Sequence, residues 1–370
     1  MTNKQFTIRV PGKLMMAGEY AVLEPHYELL VMAVDRYVYA TLQLTKGNFV
    51  TLENFHLTNV PWVFSSERLK IATDDSRKDY VEHAMEIALT YLQENDVSWR
   101  PFSLSIKSEL DEEQSGRKYG LGSSAAVVTA AISVILKKFA PELATKETIF
   151  KLAAITHINI QGNGSGADIA ASTYGGVLAY KSFQANWLKE AYAKSETLTK
   201  LLSSDWKYLH IEPLSFPTHL IKLCVGWTGS PASTGKLVDK ILQLKETNEK
   251  AYDSFLTNSK RAVKQIKQAI QMKDIQRFYK GIEQNRQTLA ALGHLSTAPI
   301  ETERLRELAK CAQEIGGVGK LSGAGGGDCG IAFVQSKEQV KMLQEKWRQL
   351  NIQPLTLQIE LEGTIVYTNH

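Results

Sequence analysis

KYGLGSSAAVV, residues 118–128, decides how the rest of the chain is read. Two glycines, Gly120 and Gly122, stand directly before Ser123, Ser124 and a run of small apolar residues. Small residues let backbone approach a ligand closely, and a helix start presents unpaired N–H groups together with the positive end of the helix dipole. Gly120, Leu121, Gly122, Ser123, Ser124 and Ala125 therefore describe an anion site, most naturally for phosphate. The serine hydroxyls are placed to add a phosphate contact or a magnesium ligand. The plainer reading is a turn followed by a serine-capped helix, and this stretch alone does not separate the two. Gly120, Gly122 and Ala125 also satisfy the relaxed dinucleotide pattern G-x-G-x-x-A. That pattern needs a strand directly before it, and residues 111–118 read DEEQSGRK, a charged loop, so the dinucleotide reading is weak. The chain contains no G-x-x-x-x-G-K-[ST] segment, which removes a Walker-type nucleotide site.

Working outward, a helix is predicted over Ser124 to Phe139, closed by Lys137 and Lys138 at its negative end. Before it, Phe6, Ile8 and Val10 alternate as in a half-buried strand. Strand-like sequence returns at Leu29 to Leu44 and at Phe102 to Ile106. Helices fit Asp79 to Glu94 and Ile149 to Asn159. The second half is mostly helical in pattern from Tyr252 to Leu292 and again from Ile300 to Ile315. An apolar strand at Gly330 to Val334, a helix near Glu338 to Leu350 and a strand near Thr356 to Ile359 finish the chain. Helices and strands do not alternate strictly, so an α+β fold is expected rather than a doubly wound parallel sheet. At 370 residues two domains are expected, 1–190 and 191–370, with the polar stretch Gln184 to Trp206 as the inter-domain region.

Composition narrows the function classes. A chain with 44% hydrophobic and 22% charged residues is not a largely disordered one. Forty-three Lys and Arg against 39 Asp and Glu leave a charge of +4, too small to argue for a nucleic-acid or membrane-surface protein. The longest nearly apolar run, Ala125 to Leu136, is far short of the roughly 20 residues of a spanning helix. Three cysteines without C-x-x-C spacing fit neither a disulfide framework nor a zinc site, and reduced, packed thiols are expected. With no secretory signal in MTNKQFTIRV, the expectation is a cytoplasmic protein.

Two further glycine clusters flank the first. SGAGGGDCG (322–330) has five glycines in the eight residues from Gly323 to Gly330, ahead of the apolar strand, which implies backbone held close to something. GNGSGAD (162–168) places Asp168 after a small-residue loop, where it could be no more than a helix cap. Pro11-Gly12-Lys13 is expected to end the first strand and project Lys13 from its terminus. A lone lysine there would be solvated. Beside a phosphate loop and an acid it is a candidate for neutralising phosphoryl charge.

Taken together, PGKLMMAGEYAVLE (11–24), KYGLGSSAAVV (118–128) and SGAGGGDCGIA (322–332) resemble, in order and spacing, the three motifs of the GHMP small-molecule kinases. Gly18-Glu19-Tyr20, Lys118-Tyr119, HIEPL (210–214), GWTGSPAST (226–234) and Gln284-Asn285-Arg286 are similar to the phosphomevalonate kinase branch, particularly the bacterial type. Residues 25–29, PHYEL, depart from the Gly-x-Pro-Ala run expected after the first motif, which bears on local loop geometry. The resemblance implies a two-domain α+β kinase with its active site in the inter-domain cleft. It would transfer the γ-phosphoryl of ATP, with magnesium, to (R)-5-phosphomevalonate, giving the 5-diphosphate and ADP in the mevalonate route to isoprenoids.

It also implies roles for particular residues. Lys118 to Ala125 would cradle the ATP phosphates, with Ser124 nearest the metal. Lys13 and Asp168 would face the transferring group. Glu19, Tyr20, Ser165, Ser230, Ser233, Arg286, Ser322, Gly323, Ala324 and Gly325 would line the acceptor site, although Arg286 could equally be a solvated helix residue. No nucleic acid, membrane or obligatory protein partner is implied. Mevalonate kinase, or another GHMP kinase, is the alternative. The Lys118-Tyr119 lead-in and the GGGDCG loop argue against the related decarboxylase. Retention of Lys13, Ser124 and Asp168 argues against a non-catalytic sensor on the same fold.

Overall fold

The computed structural model describes residues 5–112, 117–231 and 234–367. The predicted alternation at Ile8 and Val10 opens a long antiparallel pair, β1 (Phe6–Ala17) and β2 (Glu28–Leu44). β3 (Phe49–Leu52), β4 (Leu57–Ser65) and β5 (Arg68–Ile71) follow, then helix α1 (Asp79–Glu94) and β6 (Phe102–Ser108). Helices α2 (Ser123–Phe139), α3 (Lys146–Gln161) and α4 (Ala167–Tyr174) lead to β7 (Val177–Lys181). α5 (Ala185–Lys194) and α6 (Leu198–Ser203) precede β8 (His210–Leu214) and β9 (Lys222–Trp227). Four helices come next: α7 (Thr234–Thr247), α8 (Glu249–Met272), α9 (Ile275–Ser296) and α10 (Glu303–Glu314). β10 (Val318–Leu321), β11 (Cys329–Val334), α11 (Lys337–Gln349), β12 (Gln353–Leu355) and β13 (Ile365–Tyr367) complete the chain.

Nine strands form one sheet, ordered β13-β1-β2-β6-β3-β4-β5, with β7 and β8 continuing from the N-terminal half of β2. Among the described residues only β3 and β6 pair in parallel. A second, wholly antiparallel sheet runs β10-β11-β9-β12. This is the expected α+β architecture. Helix α2 is apolar nearly all round, so it is sandwiched: it lies on β1 and β2, with α1 and α3 against its other side. A continuous core runs from Ile8 and Val31 through Ile132 and Phe150 to Trp227 and Phe333, joining the two sheets. A separate core beneath the second sheet centres on Trp347, wholly buried with Leu308, Leu343 and Ile352, its indole N–H donating to the Leu308 carbonyl at 3.2 Å.

Two strand expectations are corrected, at the end of β1 and at the last strand. β1 does not end at Lys13. It continues to Ala17 across a register shift between Pro11 and Gly12, so Lys13 sits mid-strand. The polar stretch Gln184 to Trp206, expected between the domains, forms α5 and α6, and Leu188, Leu198, Leu201 and Trp206 are buried in the main core. The expected helical pattern from Tyr252 to Leu292 is present as two helices, parted at Lys273, in left-handed conformation, and at Asp274, whose carboxylate caps α9 by accepting from the Arg277 amide at 2.9 Å. The last expected strand at 356–359 is displaced to Gln353–Leu355, leaving a single bridge from Ile359 to Val34. All three cysteines are unpaired and buried, as expected. Among the described residues no helix is long and apolar enough to cross a membrane.

Removing the Trp347 side chain would leave a large cavity with no polar compensation. Trp347→Ala is expected to destabilise the protein by about 3–5 kcal/mol, read as a lowered urea midpoint.

Candidate active site at the junction of the two sheets

The register shift in β1 turns Lys13 into the molecule. Its amide donates to the Leu121 carbonyl at 2.8 Å and its ammonium to the Gly120 carbonyl at 3.0 Å. Only 8% of Lys13 is exposed. Gly122 caps α2 in the left-handed region, φ 80°, where a side chain would be strained. A Cβ there would meet Lys13 Cγ at 3.0 Å and Asp168 Cβ at 3.6 Å. Lys13 and Asp168 thus flank the N-terminus of α2. Asp168 lies in the first turn of α4; the cap itself is Gly166, so Asp168 is not the capping residue. Ser165 accepts from the Ala167 amide at 3.3 Å, and its carbonyl accepts from the Tyr180 hydroxyl at 2.5 Å.

The second sheet closes on this group through the loop between β10 and β11. Ser322 Oγ accepts from the Met15 amide at 2.8 Å, and the Tyr20 hydroxyl donates to the Ala324 carbonyl at 2.5 Å. Gly325, at φ 75°, has its backbone so close to Ile300 that a Cβ would stand 2.1 Å from the Ile300 carbonyl oxygen. The neighbouring Gly326 amide donates to that oxygen at 2.9 Å. Gly323 has open space where a side chain would be. Asp328 packs against Gly120, and its amide donates to the carbonyl of exposed Ser230 at 2.8 Å. The three glycine clusters, distant in sequence, therefore meet around Lys13.

Lys118 is exposed beside a cavity of about 130 Å³ that also takes in Asp111, Ser123, Ser124 and the apolar Phe55 and Val127. Ser123 Oγ donates to Asp111 Oδ2 and Ser124 Oγ pairs with His157 Nε2, each at 3.3 Å. Burial pushes the Asp111 carboxyl up, opposed by Lys118 and Ser123. Burial likewise raises the Tyr80 phenol; the Asp168 charge adds to the shift and the Ser124 hydroxyl opposes it, so Tyr80 links α1 to both helix starts. Asp111, Tyr80 and His157 were not identified from sequence, because none lies in a recognisable pattern. Asp111 stands nine residues before Gly120, in a loop that reads only as charged.

Two expected charges are already engaged. Glu19 is buried, its carboxylate bonded to Lys320 at 2.5 Å and to Asn285 at 3.1 Å. Arg286 is neither solvated nor open: it pairs with Glu301 at 2.7 Å and Glu283 at 3.5 Å. Ser233 lies outside the described residues. Among the described residues no three His, Cys, Asp or Glu side chains gather as a cage for a metal. Isolated hydroxyls and one carboxylate suit a hard cation that arrives on nucleotide phosphates, the ordinary mode for magnesium.

Residues 79–176 match the family model for the GHMP kinases N terminal domain, and residues 262–353 that for the GHMP kinases C terminal. The fold and site are those of a small-molecule kinase, and the chain belongs to the GHMP kinase family. Within that family it is 32% identical to the phosphomevalonate kinase of Streptomyces sp. (strain CL190), over 98% of this chain and all of that protein. Among solved structures it resembles Streptococcus pneumoniae phosphomevalonate kinase in complex with phosphomevalonate and AMPPNP, with TM-score 0.82, 27% identity, and coverage of 95% of this chain and 99% of that one. It also resembles the Lin0012 protein from Listeria innocua, with TM-score 0.92, 40% identity, and coverage of 99% and 100%.

Gly325→Ala adds a methyl that the Ile300 carbonyl excludes, at a φ unsuited to alanine. It is expected to unseat the closing loop, lowering kcat by about tenfold or more together with the thermal midpoint, measured by steady-state kinetics and melting.

Proposed function

We propose that this protein is a phosphomevalonate kinase, transferring the γ-phosphoryl of ATP to (R)-5-phosphomevalonate and releasing ADP and (R)-5-diphosphomevalonate. The observation that carries the reading is the placement of Lys13: an ammonium almost withdrawn from water, on the phosphate loop and beside Asp168. The full-length similarity to phosphomevalonate kinases supports the acceptor.

The chemistry follows from the acceptor. A phosphate monoester has a second pKa near 6 and is mostly a dianion at pH 7, so it needs little deprotonation before it attacks. The obstacle is repulsion between two highly charged phosphates. The N–H groups at the start of α2, with Lys118 at the loop entrance, bind the ATP phosphates. Lys13 lowers the charge on the transferring group, in a cleft where exclusion of water strengthens its field. Asp168 orients Lys13 more than it serves as a base. The apolar side of the cavity lined by Phe55 and Val127 receives the adenine. Ser165, Tyr20 and the loop Ser322–Gly325 line the acceptor side, with Ser230 at its rim; Glu19 and Arg286 contribute through their ion pairs.

Magnesium, when bound, offsets phosphate charge. Ser124 would contribute its hydroxyl to the metal's shell. The two-domain division at 190/191 is retained in this proposal, with β8 and β13 of the second half completing the first sheet. A cytoplasmic setting accords with ATP as donor and with three unpaired thiols.

ADP release, followed by a coupled assay with ATP and magnesium, tests the acceptor: phosphomevalonate is turned over, mevalonate is not, and EDTA stops the reaction. No release with phosphomevalonate from folded protein would overturn the proposal. Among variants, Lys13→Met is expected to lower kcat by about 10²–10³-fold. Lys118→Met should mainly raise KM for ATP. Asp168→Asn should cost less than Lys13→Met and leave the acidic limb of the pH–rate profile in place; complete loss of turnover together with that limb would make Asp168 the base.

A further inference from the structure

The charged pair Glu19–Lys320 is the most deeply buried among the described residues, with side-chain exposures of 1% and 0%. It joins residues 301 positions apart, one in the turn after β1 and the other in β10. Asn285 of α9 completes the arrangement. Its amide nitrogen donates to Glu19 Oε2 at 3.1 Å, and its carbonyl oxygen accepts from the Gly18 amide at 3.2 Å. Glu301, the partner of Arg286, adds its charge to the field at Lys320.

Burying two charges costs solvation that their attraction only partly returns, and apolar replacements of such pairs are often neutral for stability. A hydrogen-bonded ion pair differs from an apolar contact in admitting few geometries. Here the restricted geometry lies between the Gly18–Tyr20 turn and the strand that runs into the closing loop. Two residues beyond Lys320, Ser322 holds the Met15 amide; one residue beyond Glu19, Tyr20 holds the Ala324 carbonyl. The pair therefore sets the register in which those two outer bonds can form.

We propose that Lys320 and Asn285 are positioning residues for phosphoryl transfer: by holding Glu19 inward they lock the 18–20 turn to the loop 322–328, and through Tyr20 and Ser322 they set where that loop meets the acceptor. This rests on the kinase reading above. Neither residue touches the phosphate loop, so their effect falls on the acceptor side of the reaction and on kcat, with ATP binding spared.

The test uses the full chain carrying Glu19→Gln with Lys320→Met, which removes both charges together, and separately Tyr20→Phe, which removes only the outer hydroxyl. Expected for the double variant are a kcat lower by about 10- to 100-fold and a raised KM for phosphomevalonate, with KM for ATP within about twofold. Amide hydrogen exchange across 322–328, measured without substrate, should rise in both variants. A pair that served stability alone would lower the melting temperature and leave kcat per folded molecule and loop exchange at parental values; that result overturns the proposal. If the double variant does not fold, parental loop exchange and kcat in Tyr20→Phe overturn it equally. Absence of turnover in the unmodified protein would sink the acceptor assignment instead, and the exchange measurement would still decide the positioning role.

Discussion

The bond from the Lys13 amide to the Leu121 carbonyl, with the Lys13 ammonium closing onto Gly120, is the constraint on which the rest of the site depends. It ties the middle of β1 to the loop that starts α2. Because β1 is paired along its length with β2, the loop inherits the rigidity of the large sheet. A phosphate cradle built from backbone N–H groups works only if those groups are fixed before the ligand arrives, since reorganisation would consume the gain. The irregularity at Pro11 and Gly12 makes this possible by turning one strand position toward the loop without ending the strand.

The second sheet supplies what the first lacks. Its loop 322–328 reaches back to β1 and the following turn through Ser322 and Tyr20, and Asp328 rests on Gly120. The lead-in residue Tyr119 is held between the Arg36 guanidinium, 4.8 Å from its ring, and Trp227 of the second sheet, 5.1 Å between ring centroids. The loop before α2 is thus gripped from both sheets, and the continuous core from β1 to Phe333 resists their separation. The carboxylate of Glu19, which sequence assigned to the acceptor, belongs to this framework.

Much of the fold was legible in sequence where local periodicity and burial coincide. α1 matches its predicted span because its apolar face is regular and its flanks are polar, and α2 matches apart from one residue at its cap. Legibility failed where a local pattern was overruled by distant contacts. Pro-Gly reads as a strand end, yet β1 continues because β2 pairs with it on both sides of the shift. The helical reading of 252–292 holds, and only its division is unmarked in sequence: Lys273 takes a left-handed conformation and Asp274 caps the next helix. Of the residues around the candidate site, Lys13, Gly122 and Asp168 lie in motifs and Asn285 in the Gln284-Asn285-Arg286 stretch, whereas Asp111, Tyr80, His157 and Lys320 carry no local signature.

By itself the sequence determined the chemistry available: three clusters of small residues able to bring backbone to phosphate, two lysines and one acid beside them, and an order matching a known kinase family. These are properties of residue type and spacing, which survive without a structure. Only the tertiary structure decided which charges are offered to a ligand and which are spent. Glu19 and Arg286 read as substrate contacts until Lys320 and Glu301, from elements remote in sequence, are found to neutralise them. The reason is that a charge is available or consumed according to what lies within a few ångströms of it, and that neighbour is chosen by packing between distant segments rather than by adjacent residues.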